Sequence, residues 1–188
     1  MISRSRTRAV VLAFAVLGAT TVQAFESMYE RTDVGEVEVK NIPALRAVQA
    51  EGQGNTFDNI GEPFKILFRY IRKNDYPFTI PIEAETARNV LRIYPTRSLA
   101  DGDVATGEEV EIVSVPPRTV LSVGLRGSYS RKLYTKGLKE LRGWLEENPE
   151  WQQTGEPYKV FWDPVWIPGF LKRSEVHIPV KQNTGEDS

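Results

Sequence analysis

Near the end of the chain Arg173, Glu175 and His177 stand two residues apart. In a strand that spacing puts a cation, a carboxylate and an imidazole on one face, while Val176, Ile178 and Val180 share the other. His177 is the only histidine among 188 residues. Just upstream, Phe161, Trp162, Trp166 and Phe170 crowd a segment that Pro164, Pro168 and Gly169 break into a loop. A loop of rings feeding such a strand could wall a pocket for a flat or a cationic ligand. On the plainer reading the rings close the core and the polar face meets solvent.

The elements that would position these residues follow a leader. Arg4, Arg6 and Arg8 precede an apolar run from Ala9 to Gly18, and Val22-Gln23-Ala24 offers a small residue at a cleavage position. That is the layout of a secretory signal peptide over residues 1–24, and the run is shorter than the ~20 residues a membrane span needs. We therefore expect a periplasmic or secreted protein. Without the leader, 21 basic residues face 25 acidic ones, a net charge of about −4. A mildly acidic surface argues against nucleic acid, which rewards clustered cations. With no cysteine there is no disulfide, no thiol catalysis and no Cys-ligated zinc, iron–sulfur or covalent haem site. One histidine cannot build a multi-histidine zinc or copper site.

From Val34 onward the same order of signals occurs twice. Val37-Glu38-Val39 before Pro43 matches Val110-Glu111-Ile112 before Pro116. Ile60, Phe64, Leu67 and Ile71 are spaced as Tyr134, Leu138, Leu141 and Leu145 are, each set forming one face of a helix. Asn74 and Asn148 close the two patterns at the same offset. The expected strands are 37–42, 45–50, 78–84 and 88–94, then 109–115, 118–125, 157–162 and 173–180. The first helix spans roughly 57–73, with Pro63 as the first-turn residue of a helix starting near Gly61, and the second runs from an N-cap at Ser130 to Glu147.

We read residues 34–96 and 107–180 as β-β-α-β-β pseudo-repeats within one domain over 25–180. An exposed, turn-rich connector at 98–109 joins them, and a disordered tail, 181–188, follows. The fold class is α+β: the strands curl into one antiparallel sheet or distorted barrel, with two helices packed outside and a groove where the halves meet. What the second half has and the first lacks is largely the aromatic loop.

Several strings resemble the SOUL haem-binding proteins. Phe64-Lys65-Ile66-Leu67-Phe68-Arg69-Tyr70-Ile71-Arg72-Lys73-Asn74 is similar to that family's helix ending in Tyr-Ile and Asn. Pro168-Gly169-Phe170-Leu171-Lys172-Arg173-Ser174-Glu175-Val176 is similar to its Pro-x-x-Leu-Arg-Arg-Asn-Glu-Val close. Ile80-Pro81-Ile82-Glu83-Ala84 departs from the family's Ile-x-Met-Thr-x-Pro-Val string, Ile82-Glu83 standing where Met-Thr would. The stretch 110–120 resembles the opening of the wider group of AraC-type effector-binding and gyrase-inhibitory-protein-like domains, which shelter hydrophobic or cationic small molecules. The resemblance implies the duplicated fold and a small-molecule binder, with haem or a related tetrapyrrole the leading ligand. One fold hosts many functions, so the site must carry the rest.

Haem needs a large apolar face, cations for two propionates and usually an iron ligand. Phe78, Phe161, Trp162, Trp166 and Phe170 would supply the face, Arg88, Arg92, Lys172 and Arg173 the cations, and His177 the sole imidazole for iron. No structural metal is expected. A competing reading uses Glu83 and Glu175, at comparable places in the two halves, to attract a lipophilic cation among rings or to act as acid and base in a hydrolase. Gly127-Ser128-Tyr129 lacks the nucleophile-elbow pattern, so a non-catalytic binder is expected. A third reading makes the Trp162–Phe170 loop a sticky edge for a partner, facing solvent with no cavity behind it.

Overall fold

The computed structural model describes residues 27–95 and 109–183. The leader at 1–24, the connector apart from Glu109, and positions 184–188 lie outside the described residues. In chain order the elements are β1 (Val37–Ile42), β2 (Leu45–Glu51), α1 (Thr56–Asn59), α2 (Gly61–Lys73), β3 (Ile82–Glu85) and β4 (Val90–Ile93). Then come β5 (Glu111–Val115), β6 (Arg118–Arg126), α3 (Arg131–Glu147), β7 (Trp151–Gln153), β8 (Tyr158–Phe161), a 3-10 turn (Gly169–Leu171) and β9 (Arg173–Gln182).

Local chemistry sets the helix ends. The Asn55 side chain accepts from the Phe57 amide to start α1, and the Ser130 hydroxyl accepts from the Leu133 amide to start α3. At the far ends Asn74 and Asn148 do the same job, each side-chain amide donating to a carbonyl four residues back, Tyr70 and Trp144. These bonds satisfy carbonyls that the helix itself leaves open.

The sheet runs β1-β6-β9-β8-β3-β4-β2-β5, antiparallel throughout, with β7 paired to β9 off this path. Its order is palindromic in repeat positions, because each half lends its first strand to the other. β1 pairs with β6, and β5 pairs with β2. The halves are interlocked, and neither could close its own sheet.

Both long helices cover the same, outer face. Leu67, Tyr70 and Ile71 of α2 pack on Ala50, Ala84, Leu91 and Ile93. Tyr134 and Leu141 of α3 pack on Leu121, Val123, Val176 and Ile178, which register places opposite one another across β6 and β9. Gly137 lets α3 approach closely: a Cβ there would lie 2.9 Å from Leu125 Cδ1.

Two elements differ from expectation. β3 begins at Ile82 and not at Phe78, because Pro77 and Pro81 remove two ladder donors from that stretch. β7 is three residues long with no periodicity to announce it, yet it pairs Trp151 with Gln182 and Gln152 with Lys181. The segment expected to be a disordered tail therefore starts as paired strand.

Candidate functional site

The alternation along β9 is as expected, but both of its faces are buried. Glu175 and His177 lie on the inner face, away from the helices, and neither has any exposed surface. The imidazole Nε2 lies 2.5 Å from Glu175 Oε2 and Nδ1 lies 2.9 Å from the Tyr158 hydroxyl. Arg118 Nε donates to that hydroxyl at 3.0 Å, and the guanidinium pairs with Glu83 Oε1 at 2.5 Å. The Tyr29 and Tyr94 hydroxyls donate to the two Glu83 oxygens. Lys40 Nζ reaches Glu175 Oε2 at 2.8 Å, and the Thr32 amide donates to Oε1 at 2.7 Å. The two glutamates are thus linked through Arg118, Tyr158 and His177.

Burial lowers the His177 pKa below its ordinary value, so the ring is neutral at pH 7. The bonding then assigns the proton: Nε2–H donates to Glu175 and Nδ1 accepts from Tyr158. Burial alone would raise Glu175, but the His177 bond and the Lys40 charge hold its carboxyl down at about 2.

A strap closes this face. Residues 27–36 cross it, bridging Ser27 to Ile80 and Val34 to Gly124. The Tyr29 ring meets Trp162 edge-on at 5.6 Å. Gly124 is required here by space: a Cβ would fall 2.0 Å from the Asp33 carbonyl oxygen. The hollow expected between the halves is filled on this side by Tyr29 and the ion network.

The outer face offers a different site. Between α2, β3 and the aromatic loop lies a pocket with about 50 Å³ of free volume, walled by Phe64, Phe78, Ile82, Tyr129, Phe161 and Trp166. Its loop is tied at the base. Arg173 holds the Asp163 carboxylate through two nitrogens, at 2.9 and 2.5 Å. The Tyr129 hydroxyl accepts from the Asp163 amide and donates to its carbonyl. Beyond that tie, Trp166 is 71% and Phe170 73% exposed. Lys172 Nζ stands 5.0 Å from the Tyr129 ring centre, and the Arg72 guanidinium 5.6 Å from that of Phe68. Behind the wall Lys159 is fully buried, its Nζ without a hydrogen bond and 5.6–5.7 Å from the ring centres of Phe57, Tyr129 and Phe161. Burial lowers its pKa to about 8.

The residues singled out in the sequence therefore separate. Phe78, Phe161 and Trp166 meet at the outer pocket, with Phe170 exposed further along the same loop. Glu83, Trp162, Glu175 and His177 belong to the inner face. Arg173 anchors the loop, Arg88 pairs with Glu51 in an exposed turn, and Arg92 is taken up by Gln49 and Glu85. Two expectations need correction. The polar face of β9 does not meet solvent, because the strap and β1 cover it. His177 offers no nitrogen to iron, because both are bonded and none is exposed. Among the described residues no three His, Asp or Glu side chains gather as a metal site. Tyr29, Lys40, Arg118 and Tyr158 went unremarked in the sequence; the one available signal was Tyr158, which shares a strand face with Trp162 at a spacing of four.

Comparison with known proteins fits this architecture. The C-terminal domain of EcmrR superposes with a TM-score of 0.60 at 17% identity, over 78% of this chain and 98% of that one. EcmrR in its DNA complex in EcmrR-RPo gives 0.63 at 15% identity over 78% of this chain, which spans only 57% of that one. SAV2435 bound to tetraphenylphosphonium gives 0.52 at 10% identity, over 81% and 98%. At such identities the likeness is one of fold. No curated sequence matches significantly. The SOUL heme-binding protein model, by contrast, matches residues 23–179, taking in the strap, both interlocked halves and the aromatic loop. The chain belongs to the SOUL haem-binding protein family.

Proposed function

We propose that this protein is a non-catalytic, exported binder of a haem-like tetrapyrrole, held at the outer pocket and not through His177. The observation that carries this is the convergence of rings from α2, the segment before β3, β8 and the loop on one apolar pocket, with Lys172 and Arg72 beside it. A porphyrin is far larger than the free volume. The pocket therefore grips one edge of the ring, and the rest lies against exposed Trp166 and Phe68, where burial contributes roughly 25 cal/mol per Å². Lys172 and Arg72 stand ready for carboxylates. Haem iron, when present, would keep its own redox and ligand chemistry, since both His177 nitrogens are already bonded. Export rests on the leader at 1–24.

The inner face does not support the lipophilic-cation reading. Each of its carboxylates already has a cation, Lys40 for Glu175 and Arg118 for Glu83. No unmatched negative charge remains to recruit another.

Titration of the protein with haem and with metal-free protoporphyrin tests the reading. We expect a saturable Soret shift with similar affinity for both, weakened about tenfold by Trp166→Ala, as loss of a central aromatic contact does. Binding restricted to the iron form, or unchanged by Trp166→Ala, would sink it.

A further inference from the structure

Large exposed apolar side chains are not scattered over this molecule. Among the described residues, Phe68, Val165, Trp166, Phe170 and Leu171 all belong to the rim of the outer pocket or to its loop, leaving Val34 as the exception. Phe68 stacks on Phe64, a pocket wall, at 6.1 Å. The loop is not frayed: the Asp163–Arg173 pair ties its start, and Lys172 closes the 3-10 turn by donating its amide to the Gly169 carbonyl. An exposed tryptophan and phenylalanine on a proline-bounded, tied turn is the form an interfacial anchor takes, because an indole places an apolar body beside a polar N–H.

The charge beside it is predominantly positive. α2 exposes Lys65, Arg69, Arg72 and Lys73, with Glu62 its only acid, and Lys172 follows the loop. Arg69 also reaches Glu109 at 3.6 Å, at the far edge of this group. In a chain of net charge −1 this is a local concentration of cations.

We propose that this face docks on an anionic lipid bilayer, with Trp166 and Phe170 seated among the headgroups and the α2 cations above the lipid phosphates. The occupant follows from charge complementarity together with the position of the patch, which is the mouth of the pocket itself. An apolar ligand could then move between bilayer and pocket without crossing water. The inference goes beyond the ligand reading and does not require the ligand to be a tetrapyrrole.

Tryptophan quenching by vesicles with brominated acyl chains tests it on the full chain. One set is phosphatidylcholine alone; the other contains phosphatidylglycerol as well. We expect quenching with the anionic vesicles, most of it removed by Trp166→Phe, because Trp144, Trp151 and Trp162 lie in or against the packed core clusters. Lys65→Glu with Arg72→Glu should lower vesicle affinity at least tenfold, at about 1 kcal/mol per basic residue near the surface. Attachment through residues 1–24 would leave Trp166 unquenched, and that result overturns the proposal. So does equal quenching by phosphatidylcholine alone. A concentration-dependent dimer abolished by Trp166→Ser would assign the patch to a second copy and overturn it too.

Discussion

Phe161 and Trp162 are adjacent, both aromatic and both buried, yet they serve opposite sides of the molecule. Phe161 packs with α2 and walls the outer pocket, whereas Trp162 packs with Tyr29 over the inner ion network. A strand's two-residue period is enough to separate them. The inner face pairs each of its two buried carboxylates with a cation, whereas the outer face keeps the buried Lys159 ammonium unpaired and leaves its rings partly in solvent. Inner-face changes should therefore act on stability and spare the ligand, with the reverse for the pocket mouth.

The hardest test of that division is Glu175→Ala. It strips the acceptor from His177, Lys40 and the Thr32 amide together. Breaking a buried pair by removing one partner costs about 3–5 kcal/mol. Urea unfolding should show a loss of that size, and any protein that remains folded should still take up porphyrin.

Acid should find the same network without mutation. The folded Glu175 carboxyl sits at about 2 against an ordinary 4.5, so the unfolded chain takes up its proton first as pH falls. Its stabilisation is complete above pH 4.5 and disappears toward pH 2, a change of about 3 kcal/mol by linkage. His177 adds an earlier loss. Its folded pKa lies below 6.5, so stability declines once pH drops under that value. Urea midpoints measured from pH 8 to pH 3 should fall in those two stages. A midpoint flat down to pH 4.5 would mean that the imidazole takes up its proton as readily in the folded state as in the unfolded chain.

Gly124→Ala asks whether the strap is built in. The added methyl meets the Asp33 carbonyl head-on, and overpacking of this kind costs about 1–3 kcal/mol. Limited proteolysis within residues 27–36 should accelerate. Unchanged cleavage there would show that β6 can yield without releasing the strap.

What could be read from the sequence was short in range. The doubled order of elements, both helix starts and the alternation of β9 all rest on residues within a turn or two of one another, and all are found. The period also shows that Glu175 and His177 share a face. It cannot show whether that face is wet, because the cover is Tyr29 and Thr32, more than a hundred residues away and in a stretch with no pattern. The pocket was half legible for a related reason. Phe78, Phe161 and Trp166 advertise themselves as rings near breakers, while Phe64 reads as helix core and Tyr129 as part of a turn. Only tertiary packing turns those two toward the same space.

Lys159 offers the finest comparison, since it is the outer face's counterpart to the paired charges inside. Replacing an unpaired buried cation by an apolar side chain of similar length relieves its desolvation, against a loss of cation–π attraction of roughly 0.5–2 kcal/mol. Lys159→Met should therefore stabilise the protein, by about 1 kcal/mol at neutral pH. The wild-type chain should also gain stability between pH 8 and 10.5. Its folded amine titrates at about 8 against 10.5, so the unfolded state holds the extra proton across that interval. The variant lacks that gain, so its lead in urea midpoint at pH 7 should be lost or reversed at pH 10. Midpoints that stay parallel would mean that the three rings hold the ammonium as well as water does.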